Sequence, residues 1–242
     1  MPVIKEAFLV AAGREHPPAA RHLDAWRKFV KAAAWRSLVD VRRIYPDTDP
    51  VKVRSGRQVL VFNIRGNDYR LIVAAHFNRQ IVYTLRFYDA RGIQQRPLER
   101  HIMKTTQAKV EFARLPKDYA GLCRILTPRP IHDKVEFQNV TEITDAMAGH
   151  KLTPDQEDYF DLLCRLIEDY EKERVDAPKV TVLEALQHLL DAHGMGAADL
   201  ARLLHVHRTL GAMIVRGERR LTLNHVRTLA RHFGVSADIF VA

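Results

Sequence analysis

Two kinds of metal-binding side chain occur in this 242-residue sequence, but their spacing argues against a metal site. The only cysteines, Cys123 and Cys164, lie far apart and form neither a disulfide framework nor a ligand pair. Six histidines crowd the C-terminal quarter: His188, His193, His205, His207, His225 and His232. His205 and His207 have a His-x-His spacing without a cysteine or third ligand beside them. We therefore expect no metal, no cofactor and a reducing compartment.

Charged side chains divide the chain into three blocks. Residues 1–102 carry 19 Lys and Arg against 9 Asp and Glu, a net charge of +10. Residues 103–176 carry 11 against 15 (−4), and residues 177–242 carry 8 against 5 (+3). A charge of +10 on the first block favours a polyanion partner, although a merely cationic surface is the open alternative.

The composition favours a cytoplasmic protein of two or three small domains. No apolar run reaches the roughly 20 residues that a membrane span needs. The N-terminal residues 1–6 lack the layout of a signal peptide. We therefore expect no membrane partner.

The first block predicts helices followed by strands, which is an α+β unit. Residues 19–33 place Leu23, Trp26 and Val30 on one stripe, as in an amphipathic helix. Three runs rich in Val, Ile, Phe and Tyr follow, at residues 58–64, 69–77 and 80–88, and short polar turns separate them. They predict a three-stranded antiparallel meander packed on the N-terminal helices.

The middle of the chain begins with a polar segment, residues 90–102, that reads as a linker. Short helices are predicted near residues 118–125 and 141–149. Thr153-Pro154-Asp155-Gln156 predicts a capped helix start, and this helix should run to about Arg174. Its expected buried side chains are Phe160, Leu163, Leu166, Ile167 and Tyr170. Its expected acidic face comprises Glu157, Asp158, Asp161, Glu168, Asp169 and Glu171.

After a break at residues 176–178, the pattern predicts four short helices and a last turn. They are expected at residues 182–193, 197–204, 209–216, 223–233 and 238–241. The segment from about Thr181 to Ala242 resembles the lambda-repressor-like helix-turn-helix family, with the small Ala201 where two helices approach. His205 and Gly211 depart from the usual pattern, which has a capping glycine and an apolar residue at these places.

This resemblance implies a module that docks its third helix in the DNA major groove and binds as a homodimer. The implied DNA-facing residues are Arg208, Thr209, Ala212, Met213 and Arg216. Arg208 and Arg216 would read guanine edges, while Arg219 and Arg220 would contact phosphates. The alternative is a helical protein-interaction domain with solvated arginines. Leu221, Ile239 and Phe240 are equally interpretable as dimer interface or local core.

Two further strings resemble HigB-type mRNA-interferase toxins, the small RelE-like ribonucleases of toxin–antitoxin pairs. They are residues 42–46, Arg-Arg-Ile-Tyr-Pro, and residues 61–73, which contain Phe-Asn-Ile-x-Gly-Asn-x-Tyr-Arg-Leu. From Met103 onward the chain resembles the HigA-type antitoxin. The implied division is a toxin unit (1–92), a linker (93–102), an antitoxin N-terminal region (103–176) and a helix-turn-helix domain (177–242).

The toxin resemblance implies metal-independent RNA cleavage, in which the 2′-hydroxyl attacks the adjacent phosphate. Arg42 and Arg70 match basic positions of the family, and Asn67 would hold the backbone. Alternatively, Asn67 and Gly66 only form a turn with positive φ, and Arg42 is surface charge. The usual Thr-His-x-x-Tyr-Asp tail is incomplete here, because Leu85-Arg86-Phe87 runs directly into Tyr88-Asp89.

Three interpretations follow. In the first, one chain fuses toxin and antitoxin, the acidic middle neutralises the basic unit, and the C-terminal domain represses its own operon. Its partners are operator DNA and mRNA, the latter on the ribosome. In this interpretation the helix from Thr153 to Arg174 docks on the sheet that carries Arg70 or on its neighbouring helices. The second is a transcriptional regulator with an inactive RelE-like unit, and the third is a ribonuclease released by proteolysis near residues 92–102.

Overall fold

The computed structural model describes residues 1–52, 56–90, 110–175 and 179–241, with a five-stranded sheet at its centre. The strands are β1 (Val3–Ile4), β2 (Asp49–Lys52), β3 (Gln58–Ile64), β4 (Tyr69–His76) and β5 (Ile81–Asp89). Their order across the sheet is β1-β5-β4-β3-β2. The three long strands pair antiparallel, so the predicted meander is confirmed.

Two short edge strands extend the meander, and the sequence pattern does not predict them. β1 has two residues and runs parallel to β5, with Val3 opposite Val82. β2 has four residues, includes Pro50 and pairs antiparallel with β3. Proline is tolerated at a sheet edge because it has no N–H to donate. Strands this short show no measurable alternation of apolar and polar residues.

The turn between β3 and β4 has positive φ at Arg65 (54°) and Gly66 (61°). The alternative that Gly66 and Asn67 form a turn needing positive φ is met at Gly66, whereas the second positive φ is at Arg65 and not at Asn67. Gly66 adopts it without steric cost. The Arg65 side chain forms an ion pair with Asp68 in the same turn, at 2.9 Å from Nη1 to Oδ2.

One face of the sheet packs against helices from both ends of the chain. The N-terminal ones are α1 (Glu6–Glu15), α2 (Pro17–Ala32) and α3 (Leu38–Ile44). In their core Trp26 meets Phe62 edge-to-face, with ring centroids 5.4 Å apart. Leu186 and Leu189, near the other end of the chain, are buried in the same core. The N-terminal unit and the C-terminal helices are therefore packed together.

The opposite face of the sheet is covered by α4 (Tyr119–Ile125), α5 (Lys134–Met147) and α6 (Pro154–Lys172). Phe160 of α6 lies over the sheet, with its ring 5.0 Å from that of His76 and 5.9 Å from that of Tyr83. The Tyr83 hydroxyl is hydrogen-bonded to Thr144 of α5 at 2.7 Å. The sheet thus lies between two helical layers, and the predicted docking of the 153–174 helix is present.

The start of α6 confirms its predicted capping box. The Thr153 hydroxyl accepts from the Gln156 N–H, and the Gln156 side chain accepts from the Thr153 N–H at 3.1 Å. Of the side chains predicted to be buried, Phe160, Leu163 and Ile167 are buried, whereas Leu166 and Tyr170 are half-buried.

The helix predicted to begin at Thr141 instead begins at Lys134. The Asp133 side chain accepts hydrogen bonds from the N–H groups of Val135 and Glu136, which caps this earlier start of α5. The short helix predicted near 118–125 is confirmed as α4, capped by Asp118.

The C-terminal helices agree with the prediction to within one or two residues. They are α7 (Val182–Ala192), α8 (Ala197–Leu203), α9 (Arg208–Val215) and α10 (Leu223–Phe233), followed by a 3₁₀ turn at Ala237–Phe240. A Cβ atom on Gly211 of α9 would lie 2.7 Å from both the Ala197 carbonyl oxygen and the Ala201 Cβ of α8. Glycine is therefore required where these helices touch. His205 adopts φ 54° in the turn between them, the conformation for which glycine is common.

Several sequence-based boundaries lie outside the described residues. They are the linker at 93–102, the division at Met103 and the break at 176–178. Within the described part, no helix is both long enough and apolar enough to cross a membrane.

Candidate nucleic-acid interfaces

Three arginines and a tyrosine lie on the sheet face that α5 and α6 partly cover. In the register of β4 and β5, Arg70 is opposite Tyr88 and Ile72 is opposite Arg86, so both pairs project from one side. Arg57, just before β3, is close enough for its charge to act on Arg86. We call Arg57, Arg70, Arg86 and Tyr88 the arginine face.

Burial and mutual repulsion perturb this cluster. Burial, assisted by the positive charge of Arg57, lowers the pKa of Arg86 to about 10. Burial raises the pKa of Tyr88, while Arg70 and Arg86 act in the opposite direction. The Arg86 Nη2 atom is buried and has no hydrogen-bond partner within the part of the chain described. An anion placed here would restore the stability of the charged guanidinium groups.

The chemistry that this cluster permits is the binding of a phosphodiester. Guanidinium groups stabilise the negative charge that grows on a phosphate attacked by a neighbouring hydroxyl. A phenol within hydrogen-bonding reach can transfer a proton in such a step. Over the described ranges, no group of three or more His, Cys, Asp or Glu side chains is placed to hold a metal ion.

The turn after α5 lies directly beside the arginine face. Arg57 Nη2 donates to the carbonyl oxygen of Asp145, and the Asp145 carboxylate is paired with Lys5 at 2.9 Å. The Gln58 N–H donates to the Gly149 carbonyl oxygen at 2.7 Å. Gly149 has φ 80°, and a Cβ atom there would lie 2.5 Å from the Gln58 carbonyl oxygen. Only glycine allows this close approach of the turn to the sheet.

Ion pairs connect the hairpin between β4 and β5 to the acidic side of α6. Arg79 lies 3.1 Å from Glu157, 3.2 Å from Asp158 and 3.1 Å from Asp161. These groups are partly exposed, so each pair contributes at most about 1 kcal/mol. The ion pairs therefore set the register of α6 on the sheet, and the packing of Phe160 supplies most of the stability.

Glu171, predicted on the exposed acidic face of α6, is instead buried, at 4% exposure. Its carboxylate accepts hydrogen bonds from the backbone N–H groups of Glu6 and Ala7, both at 2.9 Å. These are free donors at the start of α1, where a negative charge is favourable. Burial raises the pKa of Glu171, and the two N–H donors oppose that shift. The end of α6 is thereby attached to the N-terminal unit.

The predicted catalytic residues are only partly brought together. Arg70 Nη1 donates to the Asn67 carbonyl oxygen at 3.0 Å, so these two are neighbours. Arg42 is on α3, in the helical layer on the opposite face, and its Nε donates to the Thr48 carbonyl oxygen at 3.0 Å. Arg42 is therefore separate from the arginine face.

Arg57, Arg86 and Tyr88 were not predicted as site residues. The spacing of Arg86 and Tyr88, two apart on one strand, is the signal that places them on a common face. Their alignment with Arg70 depends on an irregularity in the pairing between Ile72 and Val73. The hydrophobic pattern does not specify such an irregularity.

A second basic surface surrounds α9. Five of its predicted residues are exposed: Arg208, Thr209, Arg216, Arg219 and Arg220. The other two, Ala212 and Met213, are half-buried. Arg216 makes a two-point ion pair with Glu218, with Nε–Oε1 at 2.6 Å and Nη2–Oε2 at 2.9 Å. This contact lowers the pKa of Glu218 and keeps Arg216 oriented.

Ile239 and Phe240 belong to the local core, which settles the two interpretations left open for them. Each is 4% exposed and packs in the core shared with α2 and α7. Lys28 of α2 donates to the Ile239 carbonyl oxygen at 3.2 Å. Leu221 is half-buried.

Residues 19–88 match the model of the HigB_toxin family, described as the RelE-like toxic component of a toxin-antitoxin system. The matched segment contains most of α2, all of α3 and β2 to β4, most of β5 and the complete arginine face. It does not contain α4, α5 or α6. The expected toxin likeness is confirmed for this segment.

The chain is also similar to curated antitoxins. The chain is 28% identical over 119 residues to the antitoxin HigA of Escherichia coli K12, covering 43% of this chain and 83% of the relative. The antitoxin HigA of Shigella flexneri matches with the same identity and coverage. The chain is therefore related to toxin–antitoxin proteins, with likeness to both HigB and HigA.

Proposed function

We propose that this chain is a fused type II toxin–antitoxin protein, in which a RelE-like ribonuclease-type unit is neutralised by the helices that follow it. The contact that carries the proposal is that of Arg57 and Gln58 with the α5 turn, from Asp145 to Gly149. It brings a segment outside the toxin match against the cationic groups within it. The HigA relatives support the same assignment.

In this proposal the substrate is mRNA, presented on the ribosome. The RNA 2′-hydroxyl loses its proton to water and attacks the adjacent phosphate, and Arg57, Arg70 and Arg86 stabilise the charge of the pentavalent intermediate. The bond from phosphorus to the 5′-oxygen then breaks, Tyr88 donates a proton to that leaving oxygen, and the products are a 2′,3′-cyclic phosphate and a free 5′-hydroxyl. Asn67 fixes the Arg70 side chain through its carbonyl group, while Arg42 contacts RNA away from the reaction.

Gly149→Ala tests the neutralisation in the full-length chain. The added Cβ would lie 2.5 Å from the Gln58 carbonyl oxygen, so the α5 turn must move off the sheet. We expect this variant to slow growth and to cleave mRNA in a reconstituted translation reaction. Adding Arg86→Gln should reduce cleavage by about 100-fold or more, as for the loss of one charge-stabilising donor.

Gly194→Ala is the matched control. Gly194 also has positive φ (61°), but no atom lies within 4 Å of an added Cβ. It therefore carries the same kind of backbone strain without forcing the α5 turn off the sheet, and we expect it to leave growth and mRNA unchanged. A folded Gly149→Ala protein that leaves growth and mRNA unaffected would contradict the proposed ribonuclease activity.

The C-terminal helices supply the second activity that we propose, autorepression through operator DNA. α8 and α9 form a helix-turn-helix, α9 enters the major groove, and the chain binds two half-sites as a homodimer. The close crossing at Ala201 and Gly211 and the exposed basic residues around α9 support this proposal. Operator DNA and mRNA are both cytoplasmic partners, so we place the protein in the cytoplasm.

Two arginine substitutions separate base reading from phosphate contact. Arg216→Ala should weaken the binding free energy for the operator by about 1–3 kcal/mol and change that for random DNA little. Arg220→Ala should weaken binding to operator and random DNA equally. It should also reduce, by about one, the slope of the logarithm of the binding constant against the logarithm of the salt concentration. Glu218→Gln should strengthen binding, because it frees Arg216. Gel shifts at matched salt give these values.

Arg231→Ala is the control for this series. Arg231 is exposed near the end of α10, where Gly234 approaches Arg43 of α3. It should therefore change operator affinity little. Equal affinity of the unaltered chain for operator and random DNA would exclude sequence-specific repression.

One observation favours a second candidate function, a regulator with an inactive RelE-like unit. β5 runs from Arg86 through Tyr88 to Asp89 without the threonine and histidine of the family tail. This reading predicts promoter binding together with a harmless Gly149→Ala variant. The same pair of measurements therefore distinguishes the two functions.

A further inference from the structure

A groove of about 1400 Å³ separates α2 from the C-terminal helices. It is bordered by α7, α9, α10 and the loop between the last two. Its apolar lining includes Ala32, Leu183, Leu221, Leu223 and Val241. Leu223 and Val241 are 64% and 57% exposed at the rim. The groove is larger than the roughly 300–1,000 Å³ of most small-ligand pockets.

The charged side chains along the groove all have the same sign. They are Arg27, Lys28, Lys31, Lys179, Arg219 and Arg220. None of the described residues that line the groove is Asp or Glu. Arg27 and Lys31 are already paired with Glu6 of α1.

The other four cations make no ion pair with any residue in the described ranges: Lys28, Lys179, Arg219 and Arg220. Lys28 lies deepest, and its Nζ donates to the carbonyl oxygens of Val180 at 3.3 Å and Ile239 at 3.2 Å. Carbonyl groups satisfy the ammonium donors but do not cancel the charge. Over the described ranges, the groove therefore combines an apolar floor with four cations that no carboxylate pairs.

We propose that this groove binds an amphipathic anion, a long-chain fatty carboxylate. Its hydrocarbon chain covers the water-accessible apolar floor and rim at Leu183, Leu223 and Val241, and its carboxylate is held by the four cations. Covering this floor removes apolar surface from water, which is favourable without any specific geometry. A nucleic-acid backbone would use the cations and leave the floor hydrated. The site shares Arg219 and Arg220 with the proposed DNA surface, but it does not require the toxin–antitoxin function.

Equilibrium dialysis of the full-length protein against oleate tests this proposal. We expect one oleate per chain, with a Kd in the low micromolar range, of order 10 µM. Oleyl alcohol has the same chain without the charge, and acetate has the charge without the chain. Both should bind at least about tenfold more weakly, since each loses one of the two contacts.

Ala32→Trp fills the groove from an exposed position on its α2 side and should abolish oleate binding. Ala34→Trp is its control, because Ala34 is also exposed but does not line the groove. Equal melting temperatures would show that both variants fold.

Three outcomes overturn the proposal: no oleate binding up to about 100 µM, equal binding of oleate and oleyl alcohol, or unchanged binding in Ala32→Trp. If Ala32→Trp instead impairs only the binding of duplex DNA, the groove is part of a DNA surface and the proposal also fails.

Discussion

Replacing Phe160 by alanine is expected to lower the free energy of unfolding by about 3–5 kcal/mol. Phe160 is 1% exposed, and its ring lies 5.0 Å from that of His76 and 5.9 Å from that of Tyr83. The ring fills the space between α6 and the sheet. The strand and the capped helix on either side cannot move far into the cavity. Most of the van der Waals contacts that Phe160 makes are therefore not replaced. Urea denaturation with linear extrapolation measures the change.

Leu162→Ala is the control on the same helix. Leu162 is 36% exposed and points away from the sheet. Its replacement by alanine should therefore lower the free energy of unfolding by less than about 1 kcal/mol. If the two substitutions cost the same, α6 does not use Phe160 to hold the second face of the sheet. Limited proteolysis of the Phe160→Ala chain should also show earlier cleavage within α5 and α6.

The second large effect is a loss of stability on acidification. Burial is the largest cause that lowers the pKa of His22, His76 and His150 to about 4 and of His188 to about 3, from 6.5. Below pH 6.5 the unfolded chain therefore binds more protons than the folded one. Each fully shielded histidine should remove about 1.4 kcal/mol of stability per pH unit from pH 6.5 down to its folded pKa.

Two effects reduce the total loss of stability expected from these four histidines. His150 is only half-buried, so solvent screens part of its contribution. Burial also raises the pKa of Asp24, Asp161 and Glu171, and carboxylates of this kind gain stability as the pH falls. The net expectation is a folded protein at pH 7 that loses several kcal/mol by pH 5.

Urea titrations at pH 7, 6 and 5 measure this dependence, and His188→Gln identifies its main source. His188 Nε2 is 3.0 Å from the Tyr45 hydroxyl, and its ring stacks on Phe29 at 5.6 Å, between α7 and the N-terminal helices. The glutamine variant should be less stable at pH 7 and depend less steeply on pH. His132→Gln, exposed and outside both cores, should leave the slope unchanged. Equal or higher stability at pH 5 would contradict this prediction.

Local signals in the sequence predicted most of the helices and the three long strands. The capping box at Thr153 and Gln156 determines where α6 begins because it is made within one turn of chain. The same holds for Thr181 and Glu184 at α7, where a capping box is also present. In contrast, β1 is fixed by pairing with β5, some eighty residues later, and no local pattern encodes that partner.

The arginine face was only partly predictable for the same reason. Arg70 lies in a recognisable string, whereas Arg57 and Arg86 acquire their role through strand register and through Asp145 of α5. Gly211 was expected to be a poor fit, yet its lack of a side chain is what lets α8 and α9 touch. The packing of the C-terminal helices on α2 was also not predicted, because both elements have apolar faces that suit many partners.

The docking of α5 and α6 on the sheet is a contact within one chain, and this changes how it responds to protein concentration. Two separate proteins would dissociate as they are diluted, with an occupancy set by their copy numbers. Here the covering helices are present at a fixed effective concentration, in the millimolar range for linked partners. Their ratio to the sheet is one to one in every molecule. Growth, unequal synthesis or uneven partitioning at cell division cannot alter that ratio, so only a structural change within the chain or its cleavage can expose the covered face.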